Sequence, residues 1–126
     1  ITQVQGSSQY FDGAMVPYQS RLKTSVLAVD RQTIEQHTAI SEETAIELAV
    51  NARKMFGSDY SLSVTGQLSF GGEDAHIQKG LVWMAVDGDK GVKTKKFQFH
   101  YNRHLNKELA AHMGMLMIWK YINDKL

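Results

Sequence analysis

Leu81-Val82-Trp83-Met84-Ala85-Val86, then Asp87-Gly88-Asp89-Lys90-Gly91, then Val92-Lys93-Thr94-Lys95-Lys96-Phe97-Gln98-Phe99: this stretch decides the fold. Its two ends read as strands, and the Asp/Gly-rich centre is a turn that joins antiparallel neighbours. Upstream, Tyr60 to Val64 alternates and is rich in strand formers, with Thr65-Gly66 expected to end the strand. Between Gly66 and Gly80 lies a long loop, and loops of that length in small domains are often functional. Further upstream, Ser41-Glu42-Glu43-Thr44 opens a helix predicted from Glu42 to Phe56. Its face carries Ala45, Leu48, Ala49, Ala52 and Met55, and Gly57 stands where a C-cap belongs. Downstream, a closing helix is expected from Asn102 to Asn123. It would bury Leu105, Leu109, Met113, Leu116 and Ile118, with Gly114 allowing close packing.

The first forty residues are less regular. Gly6-Ser7-Ser8 ahead of Gln9-Tyr10-Phe11 resembles a helix start. Ala14 to Pro17 reads as a short strand, Leu22, Val26 and Leu27 have helical spacing, and Asp30 precedes another helical turn through Ile34. Strand and helices followed by strand, hairpin and long helix imply an α/β fold, a three-layer α/β/α sandwich with a mixed sheet of about four strands. All 126 residues are expected to form one domain. The chain opens on Ile1 without a Met and reads as the interior of a longer protein, so an element ahead of it is expected.

A hydrophobic content of 43% with 21% charged residues is that of an ordinary globular core. The net charge of +1, from 14 basic and 13 acidic residues, gives no field for gathering nucleic acid or an anionic membrane surface. The basic run from Lys90 to Lys96 is broken by Gly91, Val92 and Thr94 and reads as a solvated hairpin. There is no cysteine, which excludes disulfides and thiolate sites and suits a reducing compartment, so cytoplasm is expected. No stretch has the ~18 apolar residues of a membrane span.

In open α/β sheets, ligands bind in the crevice outside the carboxyl ends of the strands. Two segments read as such ends, Val16-Pro17-Tyr18-Gln19-Ser20-Arg21-Leu22-Lys23 and Leu62-Ser63-Val64-Thr65-Gly66, so Tyr18, Lys23 and the Thr65 hydroxyl are expected to converge. His100, His104 and His112 would share a helical face if the helix began at His100, but no carboxylate is spaced to join them, and no metal is expected. His37 and His76 read as surface or capping groups. Met113, Met115 and Met117 with Trp119 cannot all face inward, so part of that stripe is expected at an oligomer contact.

Several motifs in order carry a family resemblance: Gly6-Ser7-Ser8 with Tyr10-Phe11, Val16 with Tyr18 and Lys23, Gln36-His37-Thr38-Ala39-Ile40-Ser41-Glu42, Asp59-Tyr60, Ser63-Val64-Thr65-Gly66, Gly71-Gly72, Gly80-Leu81-Val82-Trp83, and Phe99 with Arg103. Taken together they resemble the C-terminal domain of the competence/damage-inducible protein CinA, whose free-standing relatives are nicotinamide-nucleotide amidases. That resemblance implies hydrolysis of the carboxamide of nicotinamide mononucleotide to nicotinate mononucleotide and ammonia, with no cofactor, and a small-molecule nucleotide as partner.

On that resemblance Lys23 would be the base that draws the proton from a hydroxyl nucleophile, and Tyr18 would orient it. Thr65 would bond the substrate's amide or phosphate, Arg103 would hold the phosphate as a bidentate donor, and Gly66, Gly71 and Gly72 would line the substrate. The family's nucleophile turn, Ser-Glu-Ser-Cys-Thr-Gly-Gly, does not occur in these residues. Where the family has Gly-Ile-Ala-Gly-Pro after the Thr, this chain has Gly66-Gln67-Leu68-Ser69-Phe70, and Ile77-Gln78-Lys79-Gly80 replaces Lys-Pro-Val-Gly. Further, Gly13-Ala14 stands for Gly-Gly, Pro17 for a Thr or Ser, Gln19-Ser20 for Ser-Asn, and Tyr101-Asn102 for Gly-Asp. Two readings follow: an amidohydrolase whose nucleophile lies in another segment, or a catalytically inactive module for binding or oligomerisation.

Overall fold

Ser41 and Gly57 bracket the helix on which the sheet is assembled. The Ser41 hydroxyl accepts from the Thr44 N–H at 3.2 Å, and Gly57 closes the other end in the left-handed conformation at φ 63°. The computed structural model describes residues 1–69 and 76–126. Along them run a 3-10 turn at Ser7–Gln9, α1 (Ser20–Ser25), α2 (Arg31–His37), α3 (Glu42–Phe56), β1 (Ser61–Gln67), β2 (Leu81–Asp87), β3 (Lys93–Gln98) and α4 (Arg103–Ile122). The expected limits of α3 are met at both ends, and those of the hairpin and closing helix to within a residue or two.

The described sheet is antiparallel, in the order β1-β2-β3. Thr65 faces Trp83 across the first pair, and Val82 faces Phe97 across the second. The mixed sheet of four strands expected from the sequence is therefore not what the described residues form, because Ala14 to Pro17 is not a strand. Pro17 has no N–H to donate to a ladder, and Val16 is 82% exposed. A second difference is that β1 runs on through Thr65 and Gly66 to Gln67. A Cβ on Gly66 would stand 2.6 Å from Val82 Cγ2 and 2.8 Å from the Leu81 carbonyl. Gly66 is thus the strand position where β2 comes too close for a side chain, although Thr-Gly reads locally as a turn.

Period-two alternation sends opposite faces of the sheet to different helices, which makes three layers. On one face Ser61 donates to the Ala49 carbonyl at 2.7 Å and Ser63 to the Ala45 carbonyl at 2.6 Å, while Ala45, Ala49 and Ala85 form a small-residue contact flanked by Trp83 and Val92. Two strand residues advance about 6.7 Å, and one turn of helix plus a little, four residues, advances about 6 Å. Alternate strand hydroxyls therefore meet carbonyls four residues apart on α3. On the other face Val82, Met84 and Val86 pack against Ala110, Met117 and Tyr121 of α4. Gly114 permits this approach as expected, since a Cβ there would lie 3.0 Å from Leu62 Cδ2. A third cluster, Leu27, Val29 and Leu48 with Ile34 and Ala52, fastens α2 and its approach to α3.

The stripe that α4 buries is Asn106, Ala110, Gly114, Met117 and Tyr121, not the line of leucines expected. Leu105, Leu109, Met113 and Ile118 flank it half-buried, and Leu116 is 40% exposed. Small residues at the centre let the helix sit close on the sheet, which turns the bulkier ones to its sides. Likewise Met55 at the end of α3 is exposed rather than buried. Met117 is in the core and Met115 is outside, as a helical period requires of alternate positions. Among the described residues no helix is long and apolar enough to cross a membrane.

The hairpin turn is clamped to the end of α4. Tyr121 donates to the Gly91 carbonyl at 2.7 Å and accepts from the Lys90 N–H at 2.9 Å. The Lys90 ammonium donates to the Tyr121 carbonyl and pairs with Asp124, which holds its pKa above the ordinary 10.5. A raised lysine pKa stabilises the fold at every pH below the unfolded value, and that contribution fades as pH rises through the folded value. Urea midpoints of the wild type and Asp124→Asn are therefore expected to differ slightly at about pH 8 and to converge as the pH rises through the raised lysine pKa, the gap being small because the pair is solvent-screened. A gap that widened at high pH would contradict this placement of the charge.

Candidate functional site

Three segments far apart in the chain meet at the start of α4. Asn102 caps that helix, its side chain accepting from the Leu105 N–H at 2.9 Å, and Arg103 is the first helical residue. The Arg103 guanidinium donates through Nη2 to the Tyr18 hydroxyl at 3.2 Å and through Nη1 to the Ser69 hydroxyl at 3.0 Å. Tyr18 stands 85 residues away in sequence and Ser69 stands 34 away. No carboxylate among the described residues pairs with Arg103. Among the described residues its charge is oriented by two neutral oxygens and meets no carboxylate.

Lys23, in the last turn of α1, sends its ammonium to the Pro17 carbonyl at 3.1 Å, next to Tyr18 in the chain. Tyr18 thus reaches Arg103, and Lys23 is bonded to the residue just before Tyr18; from the sequence Tyr18 and Lys23 are expected to converge with Thr65, and the family resemblance adds Arg103. Thr65 behaves differently. Its side chain is 5% exposed and donates to the Ala39 carbonyl at 2.6 Å, continuing the row of Ser61 and Ser63 on the α3 face. The hydroxyl expected to bond the substrate's amide or phosphate is engaged in holding the segment before α3 to the sheet, because Thr65 lies inside β1 and not at its end. Gly66 has the packing role described above, and Gly71 and Gly72 lie outside the described residues.

Beneath this cluster is a polar hub that sequence reasoning missed. Asn106, fully buried, accepts from the Tyr101 N–H at 3.0 Å and donates to the Tyr101 carbonyl at 2.9 Å and to the Leu68 carbonyl at 3.1 Å. It ties the chain leaving β1, which carries Ser69, to the chain entering α4, which carries Arg103. The signal in the sequence is an Asn four residues after an Asn N-cap, in the stripe a helix should bury. Ser69 gives no such signal, since a lone serine in a loop has no periodicity.

The histidines are placed apart from any such cluster. His104 lies 3.4 Å from Glu108, and His112 Nδ1 is 2.9 Å from the Glu108 carbonyl. Among the described residues no three His, Cys, Asp or Glu side chains are grouped to hold a metal. A cleft of about 340 Å³ lies elsewhere, between α2 and α3, lined by Asp30, Thr33, His37, Glu43 and Glu47. Glu47 is consumed there by the Asp30 N–H and the Thr33 hydroxyl, and His37 sits 3.5 Å from Glu43. That cleft serves helix packing and does not reach Arg103.

A family model described as CinA C-terminal domain matches residues 1–122. The chain belongs to that family. A CinA-like protein of Leptospira borgpetersenii is 38% identical over 121 residues, covering 94% of this chain and 29% of the relative, and a CinA-like protein of Geotalea uraniireducens is 36% identical over 91% of this chain and 27% of its own length. This CinA domain therefore spans less than a third of those relatives. Among solved structures, the competence damage-inducible protein A of Klebsiella pneumoniae superposes with a TM-score of 0.91 at 20% identity, covering 97% of this chain and 76% of that one. The competence/damage inducible protein CihA of Agrobacterium tumefaciens gives 0.87 at 26% identity over 93% and 72%. The CinA fold described above, an antiparallel sheet between helices, is shared with these proteins.

Proposed function

We propose that this CinA-family domain binds a nicotinamide nucleotide and contributes to hydrolysis of its carboxamide, as nicotinamide-nucleotide amidases do. The observation that carries the reading is the meeting of Tyr18, Ser69 and Arg103, with Lys23 alongside. An arginine that among the described residues has hydroxyl partners and no carboxylate is suited to a phosphate, and beyond the two N–H groups used on those hydroxyls it has three more. On this reading Arg103 holds the phosphate and Tyr18 sets the guanidinium plane. Lys23, once neutral, accepts the proton from an attacking hydroxyl and returns it to the leaving ammonia. The nucleophile itself is not assigned to these residues.

The experiment is ammonia release from nicotinamide mononucleotide by the full-length protein, with Lys23→Ala and Arg103→Ala beside it. Loss of the base is expected to lower kcat by about 10²- to 10⁴-fold. Loss of the arginine is expected to weaken nucleotide binding by about tenfold or more. The engagement of Thr65 with Ala39 favours a second reading, a module that binds the nucleotide without turning it over. Binding that depends on Arg103, with no ammonia from the wild type, would select that reading; nucleotide binding indifferent to Arg103→Ala would remove both.

A further inference from the structure

We propose that Ser69 is a positioning residue that makes the Arg103 site selective for a phosphate monoester over its dephosphorylated counterpart; the inference rests on reading Arg103 as the anion-holding group. Arg103 Nη1–H donates to Ser69 and Nη2–H to Tyr18, so the guanidinium is fixed by one bond on each terminal nitrogen. Each hydroxyl oxygen uses a lone pair for that bond and keeps its own proton free to donate elsewhere. The group therefore presents the remaining guanidinium N–H donors together with two O–H donors. A phosphate monoester has three terminal oxygens to accept them, whereas a neutral ribose hydroxyl does not match that excess of donors. A carboxylate at position 69 would have quenched the charge, and an apolar side chain would have left the long Arg103 side chain free to wander.

The backbone places Ser69 for this task. Asn106 grips the Leu68 carbonyl immediately before it and the Tyr101 backbone two residues before Arg103, so the two side chains approach from chains held by one buried amide. Ser69 is half-buried, which limits the orientations its hydroxyl can take. The first turn of a helix of 20 residues lies beneath Arg103 and adds to the positive potential without itself forming the site.

The test is calorimetric titration of the full-length wild type, Ser69→Ala, Ser69→Thr and Arg103→Ala with nicotinamide mononucleotide, with nicotinamide riboside and with inorganic phosphate. Ser69→Ala is expected to weaken binding of the mononucleotide and of phosphate about five- to tenfold while leaving the riboside affinity and Tm unchanged. Ser69→Thr should restore wild-type affinity, because it restores the hydroxyl. Equal loss for mononucleotide and riboside, or mononucleotide binding by Ser69→Ala equal to wild type while Arg103→Ala binds poorly, would overturn the role of Ser69 and leave the reading of Arg103 standing. Wild-type affinity in Arg103→Ala would overturn both.

Discussion

Gly80→Ala is expected to destabilise the domain by about 4 kcal/mol or more, enough to unfold a chain of ordinary stability. Gly80 has φ 81°, where an L residue is strained by about 1–2 kcal/mol. The added Cβ would stand 1.8 Å from the Phe99 carbonyl oxygen, which is backbone and has no rotamer to escape into. Gly80, just before β2, also joins the three strands, since its N–H donates to the carbonyl of Gln67, the last residue of β1, and its own carbonyl accepts from the Phe99 N–H at 2.9 Å just after β3. Relieving the clash therefore breaks the edge where all three strands meet. Gly91→Ala is the control, with a similar φ of 78° and nothing within 4 Å of its Cβ; it should cost only the conformational part, about 1 kcal/mol. Urea denaturation of the two variants decides the matter: equal losses would mean that the approach of Phe99 relaxes freely.

Asn106→Ala is expected to cost about 3 kcal/mol and to loosen the Arg103 locality along with the fold. The side chain is 0% exposed and all three of its hydrogen bonds go to backbone, so its removal strands the Leu68 carbonyl and both polar groups of Tyr101. Asn106→Asp keeps the acceptor for the Tyr101 N–H but turns a carboxylate toward two carbonyls in a buried place. Its pKa should rise in the folded state, so that variant should be least stable near neutral pH and regain stability as the pH falls and the carboxyl becomes protonated. A denaturation series from about pH 7 down to about pH 4 measures this, and a stability that fell monotonically with acid for Asn106→Asp beyond that of wild type would contradict the hydrogen-bond assignment.

What could be read from the sequence and what could not divide along physical lines. The limits of α3 were legible because Ser41 and Gly57 are local devices, each satisfying helix-end groups within a few residues of itself. The hairpin was legible for the same reason. The end of β1 was not, because Thr65-Gly66 satisfies a turn rule locally while the need for glycine comes from Val82 across the sheet. The buried stripe of α4 was misplaced because hydrophobicity marks what a helix can bury, whereas closeness to Leu62 selected Gly114 and Ala110 for the centre. Read as strand-end residues, Tyr18 and Lys23 are expected beside Thr65, and the family resemblance adds Arg103; Tyr18 bonds Arg103 and Lys23 bonds the carbonyl before Tyr18, whereas Thr65 is taken up by Ala39. Ser69 had no local rule to reveal it, since its partner lies 34 residues away in the chain, and the local signal at Asn106, its place after the Asn102 cap, says nothing of the Leu68 carbonyl 38 residues away.

The row of hydroxyls from Ser61, Ser63 and Thr65 has a mechanical consequence. Each finds one carbonyl, at Ala49 and Ala45 of α3 and at Ala39 in the segment before it, so sliding α3 together with that segment along the strand by a single residue would break three bonds at once and offer no intermediate resting place. The contact acts as a ratchet with one tooth setting, and shear between these layers is blocked. Adjustment at the Arg103 locality is then left to segments that carry no such teeth, chiefly the stretch bearing Tyr18 and Lys23, which lies against a fixed plate.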